Sequence, residues 1–139
     1  MPNVLCGRRI LVVEDEALVA LLLEDMLAED DAVVVGPAAN VEAALALIET
    51  EAFDAAVLDV NLDGQMSYPV ADALLARAIP FVFSTGYASN RLQEGYREFP
   101  ALQKPYHATE LRRALADVIA GTWAGAGRGL RDGPAEIAA

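Results

Sequence analysis

The stretch Ile10-Leu11-Val12-Val13-Glu14-Asp15-Glu16 decides how the rest of the chain is read. Four apolar residues, three of them β-branched, form a run too short for a helix and polar on neither face. That pattern marks a strand buried on both sides. Three acids follow at once, so the strand ends in concentrated negative charge.

The pattern recurs downstream. Ala32-Val33-Val34-Val35 predicts a second strand stopped by Gly36-Pro37, and Ala55-Ala56-Val57-Leu58 a third, ending at Asp59. Phe81-Val82-Phe83 predicts a fourth, ending at Ser84-Thr85-Gly86, and Ala101-Leu102-Gln103 a short fifth, closed by Lys104-Pro105. Helical periodicity fills the intervals. Leu18, Leu21, Leu22 and Met26 recur at helical spacing. Asn40 is placed to cap a helix over 41–51, with Ala44, Leu45 and Ile48 inward. A third helix starts near Pro69, with Val70, Leu74 and Leu75 inward. A last helix opens at His107 or Thr109 and runs to about Ala120, with Leu111, Leu115, Val118 and Ile119 inward. Asn90, Gly95 and Pro100 interrupt residues 88–100, so at most a turn or two of helix is expected there.

Strands alternating with helices predict an α/β fold with a parallel sheet covered on both faces. Right-handed crossovers in so short a chain favour a doubly wound, five-stranded sheet in the order 2-1-3-4-5. The expected domain spans 1–121, and 122–139 is expected to be a flexible, Gly-rich tail.

The chain has 139 residues, 10 basic and 21 acidic, for a net charge of −11. Such a surface repels phosphate backbones and anionic lipids, so neither nucleic acid nor a membrane is an expected partner. No apolar run approaches the ~18 residues of a membrane span. The pair Arg8-Arg9 is followed by only four apolar residues before Glu14, unlike a secretory leader. Cys6 is the single cysteine, so an internal disulfide is impossible and a cytoplasmic setting is expected. His107 is the single histidine, which excludes multi-histidine metal sites.

In doubly wound sheets the site lies beyond the carboxyl ends of the strands. Those ends carry Glu14 and Asp15, Asp59 with Asn61, Thr85, and Lys104, the one lysine in a chain with nine arginines. Two carboxylates at ~4 Å repel by about 4 kcal/mol at an effective dielectric near 20, so the acids need a cation. All-oxygen ligands with room for water suit Mg²⁺. A lysine is a point charge suited to a carboxylate or phosphoryl oxygen, and Thr85 offers a donor to the same oxygen. The set points to a carboxylate that becomes an aspartyl phosphate.

The arrangement resembles the receiver domain of two-component response regulators over residues 8–120. The likeness rests on the Val13-Glu14-Asp15-Glu16 acids, Val57-Leu58-Asp59-Val60-Asn61, Ser84-Thr85-Gly86 and Lys104-Pro105-Tyr106. The resemblance implies a flavodoxin-like receiver fold in which Asp59 accepts a phosphoryl group from a histidine kinase or a histidine phosphotransfer protein. It implies Mg²⁺ held by Asp15 and Asp59 and by the backbone carbonyl of Asn61. By the same resemblance Glu14, where the family often has Asp, would hold the metal directly or through water, and Thr85 and Lys104 would engage the phosphoryl oxygens. Ala101 stands where many receivers carry an aromatic switch residue.

The stretch Pro80-Phe81-Val82-Phe83-Ser84-Thr85-Gly86-Tyr87 is similar to the signature of the FAT GUY subfamily, with Ser84 in place of Ala. That subfamily implies a stand-alone receiver, kinases of the HWE/HisKA2 type and a short or irregular fourth helix. Tyr87 would report the loop state and Tyr106 would line a partner surface. The residues after 120 are too few for a helix-turn-helix output module, so output through a downstream protein partner is expected. The reading allows a homodimer.

The expected protein is thus a phosphoacceptor in signalling rather than a metabolic enzyme. Its main rival is a receiver-like binding module that works without phosphorylation. A flavodoxin would need a phosphate loop where Glu14-Asp15-Glu16 stands. An Asp-based phosphatase would carry an acid where Asn61 stands.

Overall fold

Each apolar run forms a strand where its burial demands one, in a computed structural model that describes residues 4–86 and 92–121. The chain runs β1 (Arg9–Val13), α1 (Ala17–Glu29), β2 (Val33–Ala38), α2 (Val41–Thr50) and β3 (Ala55–Asp59). A two-stranded hairpin follows, β4 (Asn61–Leu62) and β5 (Gln65–Met66), then α3 (Tyr68–Ala76), β6 (Phe81–Thr85), β7 (Ala101–Gln103) and α4 (Ala108–Ile119). The main sheet is parallel, in the order β2-β1-β3-β6-β7. This is the expected 2-1-3-4-5 once the hairpin is set aside. Helices α1 and α4 pack together, as do α2 and α3. Every residue of β3 and β6 is buried, as a sheet covered on both faces requires.

The second strand does not stop at Gly36-Pro37 as the turn signal suggests; it runs through to Ala38. Leu11 pairs with Val35 but Val13 pairs with Ala38, so β2 carries an extra residue in a bulge. Gly36 makes this possible. Its φ is +96°, and a Cβ there would sit 2.9 Å from Ala38 N and 3.1 Å from Val12 O. The bulge brings Ala38 O to 2.9 Å from Glu14 N, which fixes the backbone where β1 ends.

Of the Leu18, Leu21, Leu22, Met26 spacing, helix α1 turns only Met26 toward the core, and that one is partly buried. Ala20, Leu23 and Leu27 are buried, whereas Leu18 is 77% exposed, Leu21 52% and Leu22 57%. The helix is apolar nearly all round, so periodicity does not choose its face. Packing against β1, β2 and α4 does, and just past the end of α1 Arg112 Nε of α4 reaches both Asp30 oxygens at 2.9 and 3.0 Å.

The other helices follow their local signals. Asn40 Oδ1 accepts from Ala43 N at 2.8 Å and starts α2, as the sequence suggests. His107 precedes α4, and the Glu110 carboxylate accepts from His107 N at 2.8 Å. Leu45, Leu75 and Ile119, expected inward, are only partly buried beside the core.

Residues 92–99 form turns, so no helix lies in the described part of the expected irregular fourth helix; residues 88–91 of that segment lie outside the described residues. The turns are tied to α3. Tyr68 and Tyr96 stack with ring centroids 4.4 Å apart, Gln93 N donates to Tyr68 Oη at 2.9 Å, and Tyr96 Oη donates to Asp72 Oδ1 at 2.6 Å. Phe99 is buried against Phe81.

Candidate functional site

Strand register brings the polar strand ends into one row. Val13 pairs with Leu58, so Glu14 and Asp59 are the next step along β1 and β3. Asp59 pairs with Ser84, and Ser84 with Leu102. Thr85 pairs with Gln103, and Lys104 follows. Between β1 and β3 the chain reverses its direction of winding, so the loops after these strands diverge and leave a crevice.

Glu14 and Asp59 are buried, at 2% and 5% exposure, while Asp15 is partly open. Carboxylate oxygens of all three lie within 4.8 Å of one another. Lys104 Nζ donates to Glu14 Oε1 at 3.0 Å and to Asp59 Oδ2 at 3.2 Å. The second oxygens accept from backbone. Glu16 N is 3.1 Å from Glu14 Oε2, and Asn61 N is 3.4 Å from Asp59 Oδ1. Asn61 itself is turned elsewhere: its Oδ1 accepts from Gly64 N at 2.7 Å, within the hairpin. That hairpin turns at Asp63 and Gly64, both at positive φ, as a tight two-residue connection requires.

One lysine does not neutralise three acids. Burial, then the charge of Asp59, raise the Glu14 pKa to about 7. Burial raises Asp59 too, against the bonds from Glu14, Lys104 and Asn61. At Lys104 burial works against the ammonium, but the Glu14 bond and the two carboxylate charges outweigh it and raise the pKa. Carboxylates that ionise reluctantly, oxygen-only donors and an open rim form a donor set that fits a small hard dication.

The structure therefore brings together Glu14, Asp15, Asp59 and Lys104, with Asn61 lining the same cleft and Thr85 buried at the end of β6. The Lys104 backbone N donates to Thr85 O at 2.7 Å, so β6 and the lysine loop are joined at this point. Tyr87 lies outside the described residues, as does the tail after 121. Tyr106 is half-buried and faces two ways. Its hydroxyl lies 3.3 Å from Ser84 Oγ, and its ring lines an apolar groove with Val19, Leu22, Met26 and Pro105.

Two features escaped the sequence reading. Asp63, which reads as a turn residue, also stands on the rim of the cleft. Ser84 partners Tyr106, and its only signal in the sequence was a hydroxyl ending the apolar run Phe81-Val82-Phe83. Among the described residues, no helix is long and apolar enough to cross a membrane.

Comparison with known proteins matches this geometry. A sequence profile of the response regulator receiver domain matches residues 10–116. The transcriptional regulatory protein PdtaR of Mycobacterium tuberculosis is 31% identical over 112 residues, covering 78% of this chain and 55% of PdtaR. The chain thus spans about half the length of the curated relatives it matches. The solution structure of SdrG from Sphingomonas melonis Fr1 is 46% identical, with a TM-score of 0.73, covering 81% of this chain and 97% of SdrG. The receiver domain of the sensor histidine kinase PA1611 from Pseudomonas aeruginosa PAO1 is 27% identical, with a TM-score of 0.69. It covers 84% of this chain and all of that domain, and its structure has a magnesium ion coordinated in the active-site cleft.

Proposed function

Because the chain belongs to the response regulator receiver family, we propose that it accepts a phosphoryl group on Asp59 from a phosphohistidine donor. A carboxylate oxygen of Asp59 attacks phosphorus, the phosphorus–nitrogen bond to the donor histidine breaks, and an acyl phosphate results. The observation that carries this reading is the bridge from Lys104 Nζ to Glu14 and Asp59 beside a third carboxylate.

Asp15, Asp59 and the backbone carbonyl of Asn61 would hold Mg²⁺, with Glu14 acting directly or through water. The magnesium in the PA1611 receiver supports this assignment. When bound, the metal supplies positive charge against the transferring oxygens. Lys104 keeps its charge at the acceptor, and Thr85 offers a hydroxyl from the neighbouring strand end. Transfer thus replaces an ion pair with a larger anion at one point and biases the β6 end.

We further read the protein as a cytoplasmic single-domain regulator of the FAT GUY type, signalling through protein contact. Its donor would be a kinase of the HWE/HisKA2 type or a phosphotransfer protein, its output a downstream protein or a homodimer. Tyr87 would report the loop state and Tyr106 would face a partner. The Phe81–Tyr87 stretch supports this finer reading.

The test is phosphotransfer from purified histidine kinases, with Mg²⁺, to wild type and Asp59→Asn. Label on the wild type alone is expected. Equal label on Asp59→Asn removes Asp59 from its role, and no label on either favours a binding module independent of phosphorylation.

A further inference from the structure

The segment that carries Lys104 is fastened to β6 twice, and neither fastening uses the lysine side chain. At its start, Lys104 N donates to Thr85 O at 2.7 Å. Two residues later, the Tyr106 hydroxyl meets Ser84 Oγ at 3.3 Å. The two anchors are consecutive residues of one strand, and Ser84 is the register partner of Asp59. Ser84 is fully buried at the end of an apolar run. A hydroxyl there costs free energy unless it is hydrogen-bonded, and Tyr106 supplies that bond. The Tyr106 ring packs beside the core and lines the groove that Val19, Leu22 and Met26 of α1 border on the other side.

We infer that Ser84 and Tyr106 are a positioning pair for Lys104: their hydroxyl contact holds residues 104–106 so that Nζ faces Asp59, and thereby sets the rate of phosphoryl acceptance. The inference rests on the acceptor reading of Asp59. Ser84 and Tyr106 touch neither substrate nor metal; they act through the lysine. A serine at this strand end and a tyrosine two residues after the lysine are needed together, since either hydroxyl alone leaves the contact unmade.

The test compares wild type, Ser84→Ala, Tyr106→Phe and the double variant. The readouts are the rate of labelling by radiolabelled acetyl phosphate at saturating Mg²⁺ and the Mg²⁺ concentration that half-protects against thermal unfolding. Each single variant is expected to label about three- to tenfold more slowly, and the double no more slowly than the worse single. Half-protection by Mg²⁺ is expected to stay within about twofold of wild type, because neither hydroxyl bonds a carboxylate of the cluster. A role in packing alone would move both readouts together. Wild-type rates in the singles, multiplied effects in the double, or parallel loss of Mg²⁺ protection each overturn the inference while leaving Asp59 as acceptor. No label on wild type overturns both. Tyr106→Phe keeps the ring packed beside the core, so it decides the matter even if Ser84→Ala fails to fold.

Discussion

Lys104 Nζ donates to Glu14 Oε1 at 3.0 Å, joining the loop after β7 to the end of β1 across 90 positions of chain. The bond spans the crevice at the switch in winding direction and also engages Asp59 between the two ends. It is a bond under competition. Glu14, Asp59 and, at 4.0 Å, Glu16 share one ammonium, and the first two are buried.

Stability should therefore depend on pH through Glu14. Its pKa is about 7 in the folded chain against 4.5 ordinarily, so the folded state holds this proton more tightly than the unfolded one. The contribution is complete below about pH 4.5 and is lost as pH rises through about 7. Asp59 shifts in the same direction. Without metal, the melting temperature of wild type relative to Glu14→Gln is expected to fall between these limits. Mg²⁺ competes with the proton, so its stabilising effect should grow over the same window. Equal Mg²⁺ stabilisation at both ends of the window would contradict this.

Single charge removals at the cluster should have opposite signs. Asp59→Asn relieves a buried anion and should raise metal-free stability at pH 8 by about 1 kcal/mol. Lys104→Ala leaves Glu14 and Asp59 without their shared cation and should lower it by about 1–3 kcal/mol. Denaturant unfolding of both variants measures the difference. Destabilisation by Asp59→Asn would mean that the acids are already well compensated.

The face of α1 can be checked by truncation. Leu23 is 2% exposed, and Leu23→Ala should cost about 2–5 kcal/mol. Leu18 stands largely in solvent, and Leu18→Ala should change stability by no more than about 0.5 kcal/mol. Comparable losses at the two positions would reverse the assignment of faces.

The turns over 92–99 should loosen when their ties to α3 are cut. Tyr68→Phe removes the acceptor for Gln93 N, and Tyr96→Phe removes the donor to Asp72. Each should cost about 1 kcal/mol and speed amide exchange in this segment. Unchanged exchange at Gln93 in Tyr68→Phe would place the restraint elsewhere, in the stacking of the residue 68 ring on Tyr96.

Much of the molecule is legible in local chemistry. Ile10–Val13, Ala55–Leu58 and Phe81–Phe83 are apolar without alternation, which is enough to make them interior strands of a parallel sheet. Local chemistry says less where neighbours decide. Gly36-Pro37 looks like a stop, yet β2 passes through it, because a bulged strand reaches Glu14 N. Leu18, Leu21 and Leu22 are as apolar as Leu23, so only the docking of α1 on the sheet and α4 chooses between them.

Side-chain pattern along the chain is enough to set the alternation of strands and helices, the sheet order, and which residues stand at the strand ends. Those follow from side-chain period and from the short, right-handed connections a chain of this length permits. Tertiary structure alone decided how the strand ends interact. That Lys104 bridges Glu14 and Asp59, that Glu14 ionises near pH 7, and that Ser84 meets Tyr106 depend on register and burial. Electrostatic and hydrogen-bond energies change over a few ångströms, and those distances are fixed only when distant segments pack.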